Sequence, residues 1–199
     1  MPSKSYDACA RQFAAQWNTR ESHMHANLAS GSRELALLAI QKGAGHFRVA
    51  RNFPTRFDVG RQVPRLAPAL DAIEAFRASV LTIERLPQAV KLLRAQLGDA
   101  YGGGDRLSAA TKFLWLLHRS PVVIFDSQAR LALNAPNGDY EEYLRLWFGA
   151  YDTHEAGIAA ACEMLAQRRA TTAEQALDIR TEWFRQRVHD IYLWNVGTP

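Results

Sequence analysis

The stretch Leu107-Ser-Ala-Ala-Thr-Lys-Phe-Leu-Trp-Leu-Leu117 constrains the fold more than any other part of the chain. At 3.6 residues per turn Ala110, Phe113, Leu114 and Leu117 share one face. Lys112 stands opposite, with Ser108, Ala109, Trp115 and Leu116 one turn away. A helix that is apolar on nearly all sides belongs in an interior, so this segment predicts a central helix with other helices laid around it. It also puts a lone amine in that interior, where an unpaired charge is costly. Fourteen residues on, a second lone charge, Asp126, closes the apolar run Pro121-Val-Val-Ile-Phe125. Charges are kept in such settings when they are paired or when they do chemistry.

Around this helix the chain reads as mainly α. Residues 5–16 predict a short amphipathic helix, and 31–42 a second one with Ser32 as its N-cap. Residues 43–64 carry Gly43, Gly45, Pro54, Gly60 and Pro64 and read as loop. Leu66, Leu70, Ile73, Phe76 and Val80 are spaced for one face of a helix over 66–82. Pro87 opens the next, which runs to Leu97. Gly102-Gly-Gly104 then frees the backbone for a tight loop before the helix 107–118, so 86–118 reads as helix, hairpin, helix. Val122-Val-Ile124 makes a short extended connection, and Asp126 stands where the N-cap of a short helix through Leu133 belongs. Two helices are expected over 139–150 and 153–169. A last one is opened by the capping-box pairs Thr171/Glu174 and Thr172/Gln175 and carries a core face of Leu177, Phe184, Val188 and Ile191. Trp17, Trp115 and Trp147 read as core.

The 199 residues, 48% of them hydrophobic, suit one domain over 1–199, with room for two helical lobes. No apolar run is long enough to span a bilayer, and the start, Met-Pro-Ser-Lys-Ser-Tyr-Asp, lacks the apolar stretch of a signal peptide, so a cytoplasmic location is expected. Cys9 and Cys162 fit no metal spacing. His23 and His25 are a weak metal pattern that reads better as polar loop, and neither His46 nor His118 is given a catalytic role. No metal or other cofactor is expected.

The net charge of +4 permits a polyanionic partner. Between residues 48 and 65 stand Arg48, Arg51, Arg56, Arg61 and Arg65, against the single acid Asp58, with Phe47, Phe53 and Phe57 interleaved. Two readings stand: arginines on phosphate with aromatic stacking, or a solvated basic loop with three core anchors. Lys112 and Asp126 likewise carry two readings each. A partly neutral buried amine attacks electrophilic carbon, but a lysine can also snorkel out along Trp115. A carboxylate fixed by backbone N–H groups can stabilise a developing oxocarbenium ion, but it can also simply cap a helix.

The stretch Ser108-Ala-Ala-Thr-Lys-Phe-Leu-Trp-Leu-Leu-His-Arg-Ser-Pro-Val-Val-Ile-Phe-Asp-Ser-Gln-Ala-Arg130 resembles the core of the 8-oxoguanine DNA glycosylase-like, helix-hairpin-helix superfamily, in a divergent bacterial branch. Phe57-Asp-Val-Gly60, Arg65-Leu-Ala-Pro68 and the ending Asp190-Ile-Tyr-Leu-Trp194 are similar to that branch too. The resemblance implies a compact bilobal helical domain whose lobes flank a cleft. It further implies a monomeric enzyme that flips a modified base out of DNA and cleaves its glycosidic bond. The base would be oxidised guanine, or a phage-type modified cytosine in antiviral defence. Lys112 then matches the lysine that attacks the sugar, and Asp126 the aspartate that stabilises its positive charge. Arg48, Arg51, Arg56, Arg61 and the helix start at Ser108 are expected on phosphates, and Tyr192 and Trp194 on the flipped base. Trp183 and Phe184 lie nearby, Phe184 on the core face. In one respect the chain departs from the pattern: the family's Leu-Pro-Gly-x-Gly hairpin is here Leu107, Ser108, Ala109 and Ala110, with the glycines earlier. Two rivals come from other classes: a non-catalytic DNA-binding module of the same fold, and a helical interaction protein.

Overall fold

The computed structural model describes residues 5–53, 64–169 and 179–198. The chain is mainly helical, with no strand among the described residues, and divides into two compact units, one of residues 20–124 and one of 1–19 with 125–199.

In the first of these, α2 (Ser22–Ala29), α3 (Arg33–His46), α4 (Ala67–Glu74) and α5 (Leu86–Ala100) all contact α6 (Leu107–His118). Every residue of α6 from Ala109 to Leu116 is buried, Lys112 among them, as the all-round apolar pattern requires. Phe113 stacks on Phe53 (5.8 Å between centroids), and Phe53 meets the Tyr101 ring edge-on at 4.8 Å. The Tyr101 hydroxyl donates to the Arg65 carbonyl (2.9 Å) and accepts from the Ala69 amide (3.1 Å), tying the end of α5 to the start of α4.

Between α5 and α6 the backbone turns through Gly102, Gly103 and Gly104 at φ of +75°, +94° and +87°, values that side chains with a Cβ resist. The Gly103 amide closes the turn onto the Gly98 carbonyl at 2.7 Å. Asp105 Oδ1 then accepts from the Leu107 amide (2.8 Å) and pairs with Arg94 of α5 (3.0 Å), so one carboxylate both starts α6 and ties it to α5.

The other unit holds α1 (Tyr6–Gln16), α7 (Ser127–Ala132), α8 (Tyr140–Arg169) and α9 (Glu182–Gly197), with α9 against the other three. Phe13, Phe184 and Trp183 interlock at 4.7 and 5.9 Å from Phe13, and Trp17 lies 4.7 Å from Trp183. Phe184 and Val188 are fully buried and Ile191 nearly so, as expected for a core face. α9 meets α7 at Gly197, where a Cβ would fall 1.9 Å from the Gln128 carbonyl oxygen.

Several sequence boundaries are corrected. α3 runs through Gly43 and Gly45 to His46, because Gly43 faces α6 so closely that a Cβ would fall 2.5 Å from Leu116 Cδ1. His23 and His25 are not in a loop but on α2, which follows a π-helical turn, Trp17–Glu21. α4 stops at Glu74, leaving Val80 76% exposed rather than in the core. The two helices expected over 139–169 are one: instead of capping a new helix, the Thr153 hydroxyl bonds back to the Gly149 carbonyl at 3.1 Å. Trp17 is only half-buried, whereas Trp115 and Trp147 are core. The capping boxes at Thr171 and Thr172, and Leu177, lie outside the described residues, and α9 begins at Glu182.

Candidate active site

Lys112 is 4% exposed, so it does not snorkel. Its Nζ donates to Ser108 Oγ, one turn back on α6, at 2.9 Å and makes a longer contact, 3.5 Å, to the Phe47 carbonyl at the C-terminal end of α3. A helix C-terminus carries partial negative charge, which suits a cation. Phe47 also meets Trp115 edge-on at 6.1 Å, and on its other side the His46 ring at 4.7 Å. His46 Nε2 in turn is 2.7 Å from Oε1 of Glu21, a completely buried carboxylate in the π-helical turn. π turns inside helices occur often at functional sites. His25 packs edge-on against Trp115 at 5.1 Å; burial, with Arg119 nearby, pushes its imidazole down to about 3.

Asp126, in the other unit, caps α7: Oδ1 accepts from the Gln128 amide at 3.0 Å. Its backbone amide hydrogen-bonds the hydroxyl of Tyr143, a fully buried residue of α8. Burial, then the nearby Asp190, raises that hydroxyl's pKa well above the ordinary value, so Tyr143 stays neutral. Asp190 takes the Trp147 indole N–H at 2.8 Å and lies 3.7 Å from Arg187, whose guanidinium stands over the Phe13 ring. Asp126 therefore sits on a buried polar layer of Tyr143, Asp190, Trp147 and Arg187, which holds the cap in place. The layer joins residues of α8 and α9 that are 43 positions apart in the case of Trp147 and Asp190, and no sequence pattern signals it.

The remaining sequence candidates are dispersed. Arg48 and Arg51 are exposed, Arg48 at a φ of +57°, while Arg56, Arg61 and Phe57 lie outside the described residues. Arg65 is spent on structure: its Nη2 donates to the carbonyls of Ala50 and Phe53. Phe47 and Phe53 are core anchors, at 9% and 3% exposure. Ser108, expected on phosphate, has its hydroxyl on Lys112. Tyr192 is half-buried with its ring against Tyr6 (4.7 Å) and His154 (5.1 Å), and Trp194 is half-buried farther along α9. His118 ends α6 where the dipole would favour a cation, but burial outweighs this and lowers its pKa, leaving the ring bonded to the Phe76 carbonyl at 2.9 Å.

Among the described residues no group of three or more His, Cys, Asp or Glu side chains is arranged to hold a metal ion, and no helix is long and apolar enough to cross a membrane. Compared with known proteins, the chain matches no family model, no curated protein and no solved structure.

Proposed function

We propose that this chain is a helix-hairpin-helix DNA glycosylase that flips a modified base out of DNA and cleaves its N-glycosidic bond. The observation that carries the reading is a buried lysine amine one turn into the second helix of a helix–glycine turn–helix unit. Lys112 occupies that position at a helix C-terminus and a serine hydroxyl. A carboxylate held at a helix cap, Asp126, follows it in the chain, as the resemblance requires. Asp126 stabilises positive charge as it develops on the sugar. Once its ammonium has lost a proton, the Lys112 amine adds to C1′ while the C1′–N bond breaks and the base leaves with that electron pair, taking up a proton. Loss of a proton from Nζ and opening of the sugar ring give a Schiff base, which water hydrolyses. Arg48 and Arg51, together with Arg56 and Arg61, supply phosphate contacts. The substrate class is duplex DNA bearing an oxidised guanine or a bulky modified cytosine.

Free-base release, read by mass spectrometry from oxidised, alkylated, deaminated and phage-modified duplexes, tests the proposal. Wild type is expected to release one base and Asp126→Asn none. Silence across the panel with DNA still bound would overturn it in favour of a non-catalytic DNA-binding module. No binding at all would leave the helical interaction protein.

A further inference from the structure

Resting on that reading of Lys112 as the nucleophile, we propose that Ser108 is a positioning residue for the amine and carries its proton toward solvent. Where the family pattern has hairpin glycines directly before the lysine, this chain has Ser108, about one helical turn from Lys112, with Oγ 2.9 Å from Nζ. The Phe47 carbonyl, at 3.5 Å, can only accept, so it serves every state of the amine that still offers an N–H. A serine hydroxyl both donates and accepts. It accepts from the ammonium and then donates to the lone pair of the neutral amine, so it suits both sides of the deprotonation that must precede attack. Ser108 is half-buried where Lys112 is buried, so of the two bonded residues the serine is the more accessible to water. One proton leaves Nζ for Oγ as the hydroxyl passes its own to water, and the serine ends unchanged. The Thr111 hydroxyl, bonded to the Ser108 carbonyl at 3.3 Å, steadies the same turn.

Other charged and titratable groups on the elements packed against α6 set the background field. They include His25 on α2, the Glu21–His46 pair, Glu74 with Arg77 from the end of α4, Arg94 with Asp105, and His118 with Arg119 at the far end of α6, beside the more exposed His23, Arg33, Glu34, Lys42, Asp71, Lys91 and Asp99. All are untouched by a change at Ser108, so a comparison of Ser108 variants isolates the hydroxyl.

The test needs no DNA. Lysines are labelled with formaldehyde and cyanoborohydride across a pH series, and each site is read by peptide mass. The exposed Lys42 and Lys91 serve as internal references. Ser108→Ala is expected to lower the pH midpoint of Lys112 labelling by about one unit, because the charge-assisted hydrogen bond lost from the ammonium is stronger than the one lost from the neutral amine. It is also expected to lower the plateau rate about tenfold, through loss of aim. Ser108→Thr is expected to restore both, with helix content unchanged by circular dichroism. Unchanged midpoint and plateau in Ser108→Ala would overturn the proposal, as would a wild-type Lys112 that never labels while Lys42 and Lys91 react. A lowered plateau with an unmoved midpoint would overturn the proton role. Failure of the glycosylase reading would show separately, as wild type that releases no base.

Discussion

Asp126 illustrates how one side chain can serve both fold and chemistry. As a cap it needs only an acceptor oxygen for the Gln128 amide, and asparagine caps a helix about as well as aspartate. As an electrostatic partner of a sugar cation it needs a full negative charge, which asparagine lacks. Asp126→Asn is therefore expected to keep stability within about 0.5 kcal/mol while abolishing base release, and Asp126→Ala to lose about 1 kcal/mol as well. Urea denaturation beside the base-release assay separates the two roles. Equal activity of wild type and Asp126→Asn would reduce the residue to its cap.

At the level of the elements, two glycines show how helix–helix distance positions these residues. Gly197 brings α9 onto the backbone of α7, where a Cβ would lie 1.9 Å from the Gln128 oxygen and 2.7 Å from its carbonyl carbon. Backbone cannot rotate away, so Gly197→Ala must push α7, and Asp126 with it, off α9. The expected loss is about 2–3 kcal/mol, in the range of overpacked cores, with a fall in base release. Gly43 is equally close to α6, but to the end of a leucine side chain, Leu116 Cδ1. Leu116 can change rotamer, and alanine gains helix propensity of about 1 kcal/mol over glycine. Gly43→Ala is expected to cost under about 1 kcal/mol on that balance. Thermal unfolding of the two variants checks the order, and a larger loss at Gly43 would contradict it.

Across the whole molecule, each compact unit holds a histidine, His189 fully buried and His25 half-buried, whose surroundings favour the neutral ring. His189, fully buried, is pushed down to about 3 by burial first and then by its neighbour His154, whose Nδ1 lies 3.2 Å from its Nε2. In the other unit the His25 imidazole is likewise pushed down to about 3, by burial first and then by Arg119. Unfolded, each titrates at its ordinary value near 6.5. Below that pH the unfolded chain binds protons that the folded chain refuses. This contribution is therefore complete above pH 6.5 and is lost as pH falls toward 3. Each such group steepens the loss by about 1.4 kcal/mol per pH unit in that window. The urea midpoint is expected to fall between pH 7 and pH 4, and to fall less steeply in His189→Gln. Tryptophan emission reports both units, since Trp147 lies 4.7 Å from His189 and Trp115 5.1 Å from His25. A His189→Gln profile parallel to wild type would overturn the assignment.

Local pattern was enough for α6 from Leu107 to His118, the glycine turn before it, and the Ser32 and Asp126 caps. Each depends on residues within a turn or two, where period, backbone freedom and capping chemistry act without help from the rest of the chain. Other features needed the tertiary structure. The chain stays helical through Gly43, where close packing on Leu116 outweighs propensity, α8 runs on past 150, and α4 stops before Val80. The Glu21–His46 pair and the layer of Tyr143, Trp147, Arg187 and Asp190 beneath Asp126 join residues distant in sequence. Such polar groups find one another only after burial has removed water, and a one-dimensional pattern records no such meeting. Tertiary structure also decided between the two readings of Lys112: with α2, α3, α4 and α5 against α6, the amine is buried and bonds to Ser108 one turn back rather than reaching out along Trp115.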